Sequence, residues 1–267
     1  MKLLSLICCF VLVSALAPAA QKREASKEVR SKLFKQVMAE YKDMRECIEQ
    51  EEGGARTAEE GTTVEEVDLN RDGVPEYEVQ LSSPCACGMV NCMIFVYRQS
   101  PRGYESILES VGLGVELLKT SSHGYVDLRI EARDTAATRS EVTYKFNGRQ
   151  YSDVSSRIVQ VETGESKPAH LRVRFRRGAS STTVQGKVSI ALPDTYLVGA
   201  RAGQVMTVEI AAVRKEIRFM VMSPSSRSLL ADNARSWTGT LPETGDYHLI
   251  VDADEKGGIY SMSIAVK

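Results

Sequence analysis

The chain has 267 residues but only one tryptophan and three histidines. It has no His-Glu-x-x-His pair, no Gly-x-Ser-x-Gly elbow, no phosphate loop and no dinucleotide fingerprint. The short motifs that mark zinc proteases, α/β hydrolases, NTPases and Rossmann enzymes are therefore missing. The histidines sit apart, with His123 in a Ser-Ser-His-Gly turn, His170 in a polar stretch and His248 among alternating strand residues. A non-enzymatic protein is the expectation. Neither sign of charge dominates, because Lys+Arg total 34 and Asp+Glu 35. This removes any global attraction to nucleic acid or an anionic membrane. Arg172, Arg174, Arg176 and Arg177 make a basic edge, but only Phe175 interleaves them, so they read as a charged edge strand. Beyond residue 20 no apolar run approaches the roughly 20 residues a spanning helix needs. Disorder is excluded too, since 43% of residues are hydrophobic and 26% charged.

A compartment can be read from the first residues. Lys2 opens the chain, Leu3 to Leu16 is uncharged and mostly apolar, and Ala17-Pro18-Ala19 supplies small residues for a peptidase. Residues 1–20 are expected to be a signal peptide cleaved after Ala19 or Ala20, which makes the protein periplasmic or secreted. Cys8 and Cys9 would leave with it. Cys47, Cys85, Cys87 and Cys92 remain, an even number that suggests two disulfides in an oxidising compartment. Of the three pairings, Cys87–Cys92 as a local loop with Cys47–Cys85 as a longer tie is favoured. A four-cysteine zinc site is the alternative.

The hydrophobic period divides the rest. Val29, Leu33, Phe34, Val37, Met38, Tyr41, Met44 and Ile48 recur at helical steps, so one amphipathic helix is expected over residues 21–50. Residues 51–61 read as a polar linker. VPEYEVQL, MIFVYR, YVDLRIEA and EVTYKF then alternate as strands between turn signals. Residues 21–160 are thus expected to form an α+β domain, one helix on an antiparallel sheet. Residues 161–170 read as a linker. Eight short strand-like segments between 171 and 267 predict an all-β antiparallel sandwich.

One motif carries metal chemistry. In Asp68-Leu-Asn70-Arg-Asp72-Gly73-Val74-Pro-Glu76 the side-chain oxygens of Asp68, Asn70 and Asp72 alternate as in a calcium loop. The Val74 carbonyl and Glu76 complete the candidate ligand set, with calcium as the expected cofactor. Val79 stands where an EF-hand needs its bidentate glutamate, so this is no complete EF-hand. A turn closed by its own Asp and Asn side chains is the rival reading. Leu241-Pro-Glu-Thr-Gly245 matches a sortase signal, but a strand-like segment follows instead of an apolar span, so it reads as a turn.

From Val173 onward the chain resembles the periplasmic inhibitors of goose-type lysozyme, and shares much of its pattern with pre-peptidase C-terminal domains. The resemblance rests on Phe175-Arg-Arg-Gly178, Gly186, Asp194-Thr-Tyr196, Ala202-Gly-Gln204, Trp237-Thr-Gly-Thr-Leu-Pro242, Gly245-Asp-Tyr247, Tyr260 and Ile264. It implies a β-sandwich that binds a lysozyme-type protein through a loop before the last strand. In that family the loop bears an arginine. Here the matching residues are Asp252, Asp254, Glu255 and Lys256, a shorter and acidic segment in which Lys256 is the remaining cationic contact. A cell-wall glycan partner, or a structural accessory role, is the alternative. Residues 62–152 resemble a module of bacterial exported proteins to which no activity attaches.

Overall fold

The computed structural model describes residues 21–254 and 256–267. The leader read over residues 1–20, and Glu255, lie outside the described residues.

The first half of the chain is three layers deep. Helix α1 (Lys27–Glu40) starts at Ser26, whose Oγ accepts from the Val29 amide at 3.3 Å. It buries Leu33, Phe34, Val37 and Met38, and α2 (Lys42–Glu49) buries Met44 and Ile48. The single helix expected over 21–50 is thus two helices, broken at Tyr41 (φ −113°, ψ 81°). The Tyr41 ring lies 5.1 Å from Phe95 and its hydroxyl donates to Glu109 Oε2 at 2.6 Å, so a sheet contact outweighs one more helical residue. A third helix, α3 (Gly54–Gly61), occupies the stretch read as a linker. It buries only Ala58, so no stripe of large apolar residues marks it as a helix.

The helices cover one face of a sheet made of β1 (Arg23–Glu24), β2 (Thr63–Val67), β3 (Glu76–Gln80), β4 (Cys92–Ser100) and β5 (Gly103–Gly112), in that order. Its other face meets a second sheet of β6 (Val115–Ser122), β7 (Tyr125–Arg133), β8 (Thr138–Phe146), β9 (Tyr151–Gln160) and β10 (Ser166–Pro168). Both sheets are antiparallel. Strand β4 belongs to two cores. Phe95 and Tyr97 pack with the helices, while Ile94 and Val96 pack with Leu128, Ile130 and Phe146 of the second sheet. This is why MIFVY is an unbroken apolar run. Strand β3 departs from the polar-out expectation, because Glu76 and Glu78 are both buried. Glu78 is neutralised by Lys22, which also donates to the Val115 carbonyl at 2.6 Å.

Residues 171–267 fold as two facing sheets. One contains β11 (Leu171–Arg172), β13 (Asp194–Ala200), β18 (Gly245–Asp252), β15 (Arg218–Met222) and β16 (Leu229–Ala234). The other contains β12 (Ser181–Val188), β19 (Gly258–Val266), β14 (Val205–Ala212) and β17 (Ser236–Thr240). The core between them includes Val198, Val208, Phe219, Tyr247, Leu249 and Ile264. Two details differ from the expected eight antiparallel strands. Strand β11 pairs parallel to β13, and β16 is an additional strand. Its residues lack alternation because its pairing with β15 shifts register twice. The Leu241–Gly245 segment is a turn, held by Tyr247 Oη, which donates to the Glu243 carbonyl at 2.6 Å and accepts from the Glu243 amide at 3.1 Å.

Residues 161–170 carry β10 and a buried joint. Lys167 projects from the second sheet into the sandwich, donating to Asp194 Oδ1 at 2.6 Å and to the Leu192 carbonyl. Asp194 Oδ2 accepts from Tyr260 Oη at 2.5 Å, and the Tyr196 and Tyr260 hydroxyls lie 2.8 Å apart. A side chain at Gly186 would place Cβ 2.5 Å from both Asp194 Oδ2 and Tyr260 Oη, so only glycine fits.

Candidate functional site

Three turns gather at one end of the sandwich. The pairings Val188↔Gly258, Ala212↔Tyr260, Arg218↔Asp252 and Asp194↔Val251 put the β12–β13, β14–β15 and β18–β19 connections side by side. Arg235 braces the middle one, donating to the carbonyls of Ala212, Arg214 and Ile217 at 3.2, 3.0 and 3.1 Å. Arg214 reaches across to both Asp254 oxygens at 2.8 and 2.6 Å. Gly257, at φ 56°, lets the third turn close on the first, because a Cβ there would sit 2.2 Å from the Val188 carbonyl. On this braced frame Val213 is fully exposed, with Ile259 at 74% and Ile190 at 63%. Exposed aliphatic side chains on held backbone can anchor a contact at little ordering cost.

The predicted partner residues fall at this end with different surroundings. Asp252 is half-buried at the end of β18, and burial, with Asp232 adding to it, raises its carboxyl above the ordinary range. Asp254 is engaged by Arg214, so the segment is less acidic than its composition suggests. Lys256 is exposed and lines a cleft of about 290 Å³ together with Lys167, Lys187 and Glu165. Glu255 lies outside the described residues. Sequence reasoning missed Val213, Arg214 and Arg235. The only available signal was an aliphatic residue in the charged turn Val213-Arg-Lys-Glu216.

The Asp68–Glu76 loop is closed by its own polar groups. Asp68 accepts from the amides of Asp72 at 3.2 Å and Gly73 at 3.0 Å, and Asp72 accepts from the Val74 amide at 2.7 Å. Asn70 Oδ1 accepts from the Asp72 amide at 2.9 Å. Its Nδ2 is the hub, donating to Asp72 Oδ2 at 2.9 Å and Glu76 Oε1 at 3.4 Å. Glu76 Oε2 accepts from the Leu69 amide at 2.8 Å. Burial first, then Asp72 and Asp68, push the Glu76 carboxyl up to about 7, against the pull of the Leu69 amide. Among the described residues, Asp68, Asp72 and Glu76 do not bring three ligand atoms within 4.8 Å of one another; Cys47, Glu51 and Cys85 do. Those two sulfurs, however, are joined to each other. Cys47 bridges Cys85 and Cys87 bridges Cys92, the favoured pairing, so no thiolates remain for the alternative zinc site.

The histidines form no nucleophile pair among the described residues. His123 Nδ1 meets the Phe146 carbonyl at 2.8 Å. His170 and His248 stand edge to face, 5.7 Å between centroids. Burial and the nearby Arg227 hold both below the usual imidazole range.

No protein-family model matches the chain, and no curated protein matches it. Among solved structures it is similar to PliG of Aeromonas hydrophila, a periplasmic lysozyme inhibitor of g-type lysozyme, at 24% identity and a TM-score of 0.34. That match covers 37% of this chain and 96% of the other. PliG of Salmonella Typhimurium gives 26% identity and a TM-score of 0.30 over 37% of this chain and 97% of its own. A mutant PliG of Escherichia coli gives 23% and 0.31 over the same shares, 37% and 97%.

Proposed function

We propose that this chain is an exported binding protein of the bacterial envelope, and that the three-turn end of its sandwich contacts a protein of the lysozyme type. The observation that carries the reading is Val213, fully exposed on a turn pinned by Arg235 and by the Arg214–Asp254 pair. A recognition loop needs an exposed anchor on pre-organised backbone. Export is supported by the leader-like residues 1–20 and by two disulfides, which persist in oxidising compartments. The lysozyme-type partner is supported by the sequence resemblance from Phe175 to Ile264. Lys215 and Lys256 supply cations to a carboxylate-lined cleft, and this offsets the acidic composition of residues 252–258.

The test is goose-type lysozyme activity with the oxidised protein, without residues 1–20, in excess. Inhibition is expected, and Val213→Asp should weaken it at least about tenfold, as loss of an anchor does. Full lysozyme activity at saturating protein would overturn the partner. A cell-wall glycan or an accessory role would then take its place.

Calcium enters as a second part of this proposal. An ion at the Asn70 Nδ2 position would draw on Asp68, Asn70, Asp72, the Val74 carbonyl and Glu76. The support is the convergence of Asp72 Oδ2 and Glu76 Oε1 on the Asn70 Nδ2 position, at 2.9 and 3.4 Å, beside a Glu76 carboxyl that is buried. Calorimetric titration of the oxidised protein with calcium at pH 7.5 should give heat that Asp72→Ala removes. A flat titration would leave the loop as a turn closed by its own side chains.

A further inference from the structure

The first half of the chain holds a cleft that the three-turn end does not explain. It has a volume of about 520 Å³ and opens where β5 passes β8 and β9. Tyr41, Tyr144, Glu109, Gln150, Ser152 and Asp153 line it. No lysine, arginine or histidine is among the lining residues, so the cleft offers no cation to a phosphate or a carboxylate. What it does offer is two carboxylates, hydroxyls, an amide and the rings of Tyr41, Tyr144 and Tyr151.

The polar groups are held in place. Tyr41 interrupts the helical layer to reach this position, and its ring is fixed against Phe95. Its hydroxyl donates to Glu109 at 2.6 Å, which orients that carboxylate. The Tyr144 hydroxyl sits 2.9 Å from Ser110 Oγ, and Asn147 donates to Ser152 Oγ at 2.9 Å. Asp153 is exposed and has no hydrogen bond or ion pair through its carboxylate among the described residues. Glu40 adds to the negative field, since it lies close enough to act on Tyr41.

Hydroxyls, an amide and carboxylates beside aromatic faces suit a sugar, whose hydroxyls donate and accept and whose C–H face packs on a ring. Uncompensated carboxylates beside tyrosines also attract an ammonium. We propose that this cleft binds a saccharide containing an amino sugar with a free amine, with Asp153 and Glu109 meeting the ammonium and Tyr144 the sugar face. A basic side chain of a protein would match the charge but would leave the hydroxyl and amide groups unused.

The site lies in the other half of the molecule from the three-turn end, so its test is independent of lysozyme inhibition. The probes are a glucosamine tetrasaccharide, its fully N-acetylated form, maltotetraose and a trilysine peptide, each titrated into the full oxidised protein and followed by two-dimensional NMR. The glucosamine tetramer should bind best, shifting resonances of Tyr144 and Ser152. Asp153→Asn should weaken it about tenfold, the loss expected for one charge-assisted hydrogen bond. Asp153 is at the surface, so this variant keeps the fold. Tyr144→Ala is the second variant and should weaken all saccharides alike. The proposal is overturned by no binding at millimolar probe, by equal binding of the acetylated tetramer, or by binding that both variants leave unchanged. Preference for trilysine would also overturn it, in favour of a protein ligand.

Discussion

Replacing Lys167 with methionine should destabilise the protein by about 3–5 kcal/mol, the cost of stripping a buried charge of its partner. Asp194 is only 6% exposed, so water has little access to take over the missing contact. Asp194 would keep one donor, Tyr260, and lose the cation. The double variant Lys167→Met with Asp194→Leu should recover most of the loss, because removing both charges removes the desolvation problem. Differential scanning calorimetry reads this directly. It should also separate one transition into two, since the pair joins the second sheet of the first half to the sandwich. A loss below about 1 kcal/mol, the range of exposed ion pairs, would show that the pair is solvated and does not serve as a joint.

Removing the Cys47–Cys85 bridge should be nearly as costly. Its partners are 38 residues apart, and the loop-closure entropy it withholds from the unfolded chain amounts to about 4 kcal/mol. Cys87 and Cys92 are separated by 5, which gives about 2 kcal/mol. Against a typical domain stability of about 5–15 kcal/mol, losing the first bridge is a large fraction. Urea unfolding of Cys47→Ala/Cys85→Ala and of Cys87→Ala/Cys92→Ala tests the order of the two effects. If the longer bridge costs the less, the helical layer is held by Leu33, Phe34, Val37 and Phe95 alone.

These expectations differ in how much of their basis is written in the sequence. Spacing removes the Cys85–Cys87 bridge and leaves two pairings; the local Cys87–Cys92 loop favoured among them is the one the structure holds. Strands β12, β14, β18 and β19 announce themselves because each has one drier face and one wetter face, whereas β16 does not alternate. Tyr41 does not, because it continues the helical stripe from Val37 while its dihedrals leave the helix. Helix α3 buries a single alanine, too little to form an apolar stripe. Lys167 is one cation in a polar run, and nothing near it in sequence points to Asp194. The saccharide cleft draws on residues 41, 109, 144 and 150–153, which no local window contains. The turn bearing Val213 lies between two strand-like segments, but its bracing by Arg235 is not legible, because a guanidinium that satisfies three carbonyls leaves no pattern in the chain.

Strand β4 has one more consequence, for how this protein can change over time. Ile94 and Val96 answer to one set of neighbours, Phe95 and Tyr97 to another. Most strands have a tolerant side on which substitutions accumulate unnoticed. Here each successive residue is constrained by a different wall, so a change at one position cannot be compensated at the next. Drift should therefore spare this segment and collect instead at the exposed turns, where a new partner could be acquired without disturbing either core.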